Sequence, residues 1–196
     1  MKKALFLDRD GVIIKMHYHE DSGIIETPLS LEQVEFQHGI FDLLHLAKKL
    51  GYLLILVSNQ PGVGIKKISL IIHNQIKDYI AQKLQDEGVP LDGQYYCLHH
   101  PYAQIAEYKK ECECRKPKIG LLVQAIEEFD IDPKKSWMIG DGVNDIISGS
   151  NIGCKTILIG NIYEAEYLSI LEKELGNIKP NFLVKKIEQI DGLISK

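Results

Sequence analysis

Residues 1–14 read MKKALFLDRDGVII. The apolar run Ala4-Leu5-Phe6-Leu7 stops at Asp8-Arg9-Asp10-Gly11, which sets two carboxylates one residue apart. Four apolar residues ending in such a turn read as a short buried strand whose carboxyl end opens into a loop. Asp and Gly are also ordinary turn residues, so the stretch alone fits a solvated turn equally well. The rest of the chain separates the two readings, because open α/β sheets build their sites at the carboxyl ends of strands.

The same grammar repeats downstream. Apolar runs at 4–7, 53–57, 95–97, 137–139, 156–159 and 182–184 alternate with helical patterns at 40–50, 69–87, 119–129, 145–152, 164–175 and 186–194. Within the first helical pattern Ile40, Leu43, Leu44, Ala47 and Leu50 fall on one face, and Gly51 ends it. The alternation predicts an α/β fold, a doubly wound and mostly parallel sheet without a large cap domain. At 196 residues the chain fits one domain, 1–196. Two stretches break the rhythm: 15–37, polar and directly after the first strand, and 99–118, which carries proline, charge and cysteines. Long irregular insertions in compact domains tend to be functional loops, so 15–37 is expected to be a lid.

Composition narrows the class. The apolar content of 45% and charged content of 26% are those of a globular protein. A net charge of −4 and scattered lysine pairs argue against nucleic acid, which would want a basic patch. No apolar run approaches the roughly 18 residues of a membrane span. Met1-Lys2-Lys3 imitates the charged end of a signal peptide, but the apolar part after it is too short. A cytoplasmic monomer is expected, and a reducing compartment argues against disulfides among the four cysteines.

Four polar clusters coincide with element ends: Asp8-Arg9-Asp10-Gly11, Ser58-Asn59-Gln60-Pro61-Gly62, Arg115-Lys116-Pro117 and Gly140-Asp141-Gly142-Val143-Asn144-Asp145. In a parallel sheet they face one crevice. The combination suits phosphoryl transfer to a carboxylate, which splits one hard step into two. A phosphate dianion repels carboxylates, so a Mg²⁺ ion is expected between them, held by Asp8 and Asp141 with the Asp10 carbonyl nearby. Lys116 and the Ser58 hydroxyl would then stabilise the phosphoryl oxygens. Asp10 can protonate the leaving alkoxide and later take a proton from water. Asp145 either reinforces the metal site or caps the next helix.

These clusters, in this order, resemble the haloacid dehalogenase (HAD) superfamily of phosphatases, whose first motif D-x-D-x-[TV] is matched by Asp8 to Val12. The resemblance covers essentially the whole chain. It implies that Asp8 is the nucleophile, Asp10 the acid and base, Ser58 and Lys116 the phosphoryl stabilisers, and Asp141 a magnesium ligand.

Cys97-Leu98-His99-His100 and Cys112-Glu113-Cys114 add three thiols and an imidazole, a donor set suited to tetrahedral structural zinc. Free cysteine is often a small buried hydrophobe, a reading that suits Cys154. It suits the other three poorly, since Lys109, Lys110, Glu111, Glu113 and Arg115 surround them. The pattern C-x-H, a loop, then C-x-C-R-K-P is similar to the zinc loop of heptose 1,7-bisphosphate phosphatases and of histidinol-phosphate phosphatases. By that likeness the ligands are Cys97, His99, Cys112 and Cys114, with His100 as the alternative to His99, and residues 97–116 form the zinc loop. The resemblance implies Mg²⁺ for catalysis, Zn²⁺ for structure and a small phosphorylated metabolite as substrate, contacted by Ser58, Asn59, Gln60, Arg115 and Lys116. The long gap between His99 and Cys112 resembles the loop of the heptose enzymes, which implies removal of the 7-phosphate of a heptose bisphosphate, with histidinol phosphate as the alternative substrate. Two departures stand out: Met16-His17-Tyr18-His19 replaces the family's Gly-Tyr segment, and Gly142 replaces a basic residue.

Overall fold

A computed structural model of the chain describes residues 1–160 and 173–195. In chain order the strands are β1 (Lys3–Leu7), β2 (His17–His19), β3 (Ile24–Glu26), β4 (Tyr52–Asn59), β5 (Gly93–Cys97), β6 (Trp137–Gly140), β7 (Lys155–Ile159) and β8 (Phe182–Val184). Helices α1 (Ile40–Lys49), α2 (Leu70–Asp86), α3 (Gly120–Phe129) and α4 (Val143–Asn151) lie among them. Six strands form one parallel sheet in the order β5-β4-β1-β6-β7-β8.

The opening run is therefore the centre of the sheet. Parallel strands are covered by helices on both faces, which is why they read as unbroken apolar runs. Along β1 the side chains alternate between two cores. Leu5 and Leu7 join Leu54 and Leu56 under α1 and α2. Ala4 and Phe6 join Ile55 and Val57 under α3. Phe6 is wholly buried, and truncating such a side chain to alanine costs about 3–5 kcal/mol.

The chain leaves β1 for β4 and β5 on one side, then crosses to β6, β7 and β8 on the other. This reversal puts a crevice beyond the carboxyl end of β1, between the loops after β4 and β6. The doubly wound α/β architecture is as the alternation predicts, and no large cap lies among the described residues.

Local chemistry sets the element ends. Ser69 caps α2, its Oγ accepting from the Ile72 N–H at 3.2 Å. Gly51, at φ +81°, follows α1; glycine takes that left-handed geometry without steric cost.

Three expectations need correction. The stretch 15–37 is not irregular: β2 and β3 pair as an antiparallel hairpin, followed by a 3₁₀ turn, Leu31–Gln33. Its strands are three residues long, and Tyr18, Ile24 and Ile25 are exposed, so no buried face imposes a period-two pattern. The helix expected at 186–194 is a 3₁₀ turn, Ile187–Gln189, and a short helix, Asp191–Ile194. Lys186 is extended, and the Gln189 side chain accepts from the Lys185 and Lys186 N–H groups at 2.7 and 3.1 Å. Ile187, Ile190 and Ile194 still reach the core, which is what the helical spacing registered. Helix α4 starts two residues before the expected 145. The helix expected at 164–175 lies, up to residue 172, outside the described residues.

Candidate active site

Asp8 is the first residue beyond β1, and its N–H donates to Ile139 O on β6 at 3.0 Å. The chain then turns tightly, with the Ile13 and Ile14 N–H groups both donating to Arg9 O. Gly11 sits at φ +77°, and a Cβ there would lie 2.0 Å from Asp141 Oδ2. Only glycine lets the two acidic loops approach this closely. Gly140 plays the same part at the end of β6, where a Cβ would meet Asp145 Cβ at 2.1 Å.

Lys116 crosses the crevice to these acids. Its side chain is 3% exposed, and Nζ donates to Asp8 Oδ1 at 2.9 Å, to Val57 O at 2.6 Å and to Asp145 Oδ1. Burial opposes a charge on the ammonium, but the carboxylates of Asp145 and Asp8 outweigh it and hold its pKa above the ordinary lysine value. Asp145 does double duty: its Oδ2 accepts from the Gly142 N–H at 3.1 Å at the start of α4.

Negative charge still exceeds positive. Asp8, Asp141 and Asp145 each offer a carboxylate oxygen, all within 4.8 Å of one another. Burial first, then the charges of Asp8, Asp145 and Asp10, push the Asp141 carboxyl up to about 8. Crowded acids of this kind fit a hard divalent cation, which takes oxygen ligands and neutralises them.

Ser58 and Asn59 end β4, with Gln60 just beyond. Gln60 Nε2 donates to Asp10 Oδ2 at 2.6 Å and to Ser58 Oγ at 3.0 Å. Asn59 faces the main chain of Lys116, donating to its carbonyl at 2.9 Å and accepting from its N–H at 3.0 Å. Arg115 lines a cleft of about 390 Å³ beside Lys116, with Lys110, Lys118 and Asn144. Its Nη1 donates to His99 O at 3.4 Å.

The loop that delivers Arg115 and Lys116 is gathered by sulfur. Cys97, at the end of β5, lies 3.6 Å from Cys112 and 3.3 Å from Cys114, sulfur to sulfur. Cys112 and Cys114 are 3.1 Å apart, and His99 Nδ1 is 3.1 Å from Cys114 Sγ. Tetrahedral zinc with Zn–S bonds of about 2.3 Å has S···S edges of about 3.8 Å. The cluster matches that outline with a slight expansion, so the donor set fits. His100 points elsewhere, its Nδ1 accepting from the Tyr102 N–H at 3.2 Å. Cys154 is buried in the apolar core, and burial pushes its thiol up to about 12.

Two participants lay outside the sequence expectations. Arg9, 1% exposed, forks onto both oxygens of Asp10, and Thr27 joins the pair. A charged residue between two carboxylates was the available signal for Arg9. Nothing local marks Thr27.

A parallel sheet with acids beyond its neighbouring strands β1 and β6, and a buried lysine between them, defines a hydrolase of the HAD type. The HAD-hydrolase-like family model matches residues 113–190. D-glycero-beta-D-manno-heptose-1,7-bisphosphate 7-phosphatase of Pasteurella multocida is 42% identical over 81% of this chain and 82% of its own. The corresponding alpha-heptose enzyme of Burkholderia mallei is 40% identical over 80% and 79%. The chain belongs to the HAD superfamily of phosphatases, which are phosphoric monoester hydrolases. Among solved structures, the D,D-heptose 1,7-bisphosphate phosphatase of B. bronchiseptica, complexed with magnesium and phosphate, superposes with TM-score 0.77. It is 20% identical and covers 98% of each chain. No helix among the described residues is long and apolar enough to cross a membrane.

Proposed function

We propose that the chain, acting as one domain, removes the 7-phosphate of a D-glycero-D-manno-heptose 1,7-bisphosphate. The reading over histidinol phosphate is supported by relatives at 36–42% identity that carry the heptose bisphosphatase name. The observation that carries the chemistry is the Lys116 Nζ contact with Asp8 Oδ1, 2.9 Å, inside a cluster of acids.

In this reading Lys116 holds one oxygen of Asp8 and so aims the other at phosphorus. That oxygen forms a bond to phosphorus as the bond to the sugar oxygen breaks, and the departing oxygen takes a proton from Asp10. Water then attacks the aspartyl phosphate, giving its proton to Asp10; the bond to Asp8 breaks and phosphate leaves. Ser58 Oγ donates to the phosphoryl oxygens, where charge accumulates, and the positive charge of Lys116, whose N–H groups go to Asp8, Val57 and Asp145, stabilises them across the crevice. Magnesium held by Asp8, Asp141 and the Asp10 carbonyl would supply the positive charge between carboxylates and phosphate.

Cys97, His99, Cys112 and Cys114 would hold a structural zinc that folds loop 97–116. Arg115, a planar fork of donors, is the contact for the retained phosphate. Asn59 and Gln60 line the same crevice, and residues 15–37 form the lid over it. The cytoplasm is the expected compartment.

Phosphate release measured with magnesium, on both heptose bisphosphate anomers and on histidinol phosphate, tests the assignment. A heptose kcat/KM at least ~100-fold above histidinol phosphate is expected, the margin that a site built for a second phosphate can supply. A preference for histidinol phosphate would overturn it.

A further inference from the structure

The hairpin that interrupts the sheet reaches the reacting groups through one hydroxyl. Thr27 is the first residue after β3, and its Oγ1 donates to Asp10 Oδ1 at 3.1 Å while accepting from Arg9 Nη2 at 2.6 Å. Arg9 Nε and Nη2 reach the same carboxylate oxygen at 3.1 and 3.0 Å. Three donors thus converge on Oδ1. Asp10 Oδ2 meets Arg9 Nη2 at 3.0 Å and Gln60 Nε2 at 2.6 Å.

We propose that Thr27 is a positioning residue for Asp10, fixing from the end of the β2–β3 hairpin the carboxyl group that exchanges the proton with the leaving oxygen. The inference rests on the reading of Asp10 as acid and base. Donors on both oxygens, three on Oδ1 and two on Oδ2, hold the carboxyl plane in one orientation, and Thr27 is the donor among them that comes from the hairpin. Without the Thr27 hydroxyl, Oδ1 loses a donor, Arg9 Nη2 loses an acceptor, and the carboxyl gains freedom to turn.

Thr27 is itself held from three directions. It precedes the buried Pro28, and a residue before proline is restricted to extended conformations. Its carbonyl meets His19 Nε2 of β2 at 3.1 Å. Its neighbour Glu26 pairs with Lys67, in the loop that follows β4. The position of the hairpin is thereby written into the orientation of Asp10.

Leaving-group dependence tests the proposal. An alkyl phosphate such as heptose bisphosphate needs its departing oxygen protonated; p-nitrophenyl phosphate releases a stable phenolate without help. kcat/KM covers the steps up to that release. Thr27→Val should lower kcat/KM for the alkyl ester by roughly tenfold or more, part of the 10²–10⁴ that general acid catalysis supplies. The aryl ester should change less than about twofold, and Thr27→Ser, which keeps the hydroxyl, should restore the alkyl ester. Equal losses on both esters, or no loss on either, would overturn the proposal, leaving Thr27 a mere fastening of the hairpin. Asp10→Asn separates the underlying reading. It should show the same split, only larger; if it lowers both esters alike, the acid and base role fails and Thr27's falls with it. A split in Asp10→Asn without one in Thr27→Val overturns the positioning role alone.

Discussion

The side-chain amide of Asn59 is paired with the main chain of Lys116 in both directions, at 2.9 and 3.0 Å. The end of β4 therefore holds the backbone from which the lysine reaches Asp8. Asn59→Ala removes both part-buried bonds, and a hydrogen bond of this kind contributes about 0.5–1.5 kcal/mol. The expected result is a fall in kcat of roughly 10-fold or more with KM little changed, because the lysine is displaced from the reacting groups. Steady-state kinetics on the bisphosphate check this. A change confined to KM would mean that Asn59 acts by touching substrate.

Asp8→Asn removes the attacking oxyanion while keeping the shape of the side chain. Turnover should fall by at least about 10³-fold, since the amide neither attacks phosphorus nor carries the charge a cation needs. The fold should survive, as β1 is held by its apolar core rather than by this group. Phosphate release and circular dichroism, measured together, decide the matter; an active variant removes the nucleophile assignment.

Lys116 and Asp145 bury opposite charges against each other, with side chains 3% and 4% exposed. Lys116→Met leaves both Asp8 and Asp145 without their counter-charge, and breaking a buried pair from one side costs about 3–5 kcal/mol. Adding Asp145→Asn to that variant removes the stranded charge. Urea unfolding should then show recovery of most of the lost stability, while activity stays absent. A double variant no more stable than the single would show that the pair is not coupled.

The Cys97, His99, Cys112 and Cys114 cluster predicts about one zinc per chain that survives removal of magnesium. Cys112→Ser should lose the metal, lower the melting temperature and depress kcat, because the chain runs from Cys114 directly into Arg115 and Lys116. Metal analysis and thermal unfolding check the first two effects. Chelated wild-type protein should regain activity on adding zinc together with magnesium, and not on adding either metal alone.

What the sequence made legible follows from how information is stored along the chain. β1 and the acids after it could be read because a strand buried on both faces is an apolar run, and its end is abrupt. The sulfur cluster could be read because Cys112 and Cys114 stand among charged residues in the sequence and share a ligand-like spacing with Cys97 and His99, although Cys97 itself is buried against the apolar core. Arg9 was harder to read: a charged residue in a turn ordinarily faces water, and one of its partners, Thr27, lies eighteen positions away. The pairing of Asn59 with the main chain of Lys116 had no local signal, because its partner lies 57 positions downstream. The β2–β3 hairpin left no pattern, since neither of its faces is buried.

His73 on α2 offers a test of the core below the site. It is 4% exposed and packs edge-on to the Tyr96 ring at 5.5 Å. Burial, and then the charges of Arg9 and Lys77, lower its pKa from 6.5 to about 4. Below pH 6.5 the unfolded chain binds a proton that the folded protein refuses, so stability rises with pH across this window. The contribution is fully present above pH 6.5 and is lost as the pH falls toward 4. Across the whole window it amounts to about 3 kcal/mol. His73→Phe keeps a ring against Tyr96 and abolishes the titration. Urea unfolding at pH 7 and at pH 4.5 should show the wild type losing about 2 kcal/mol more than the variant, other groups cancelling in the comparison. Equal losses would mean that His73 carries its proton inside the fold.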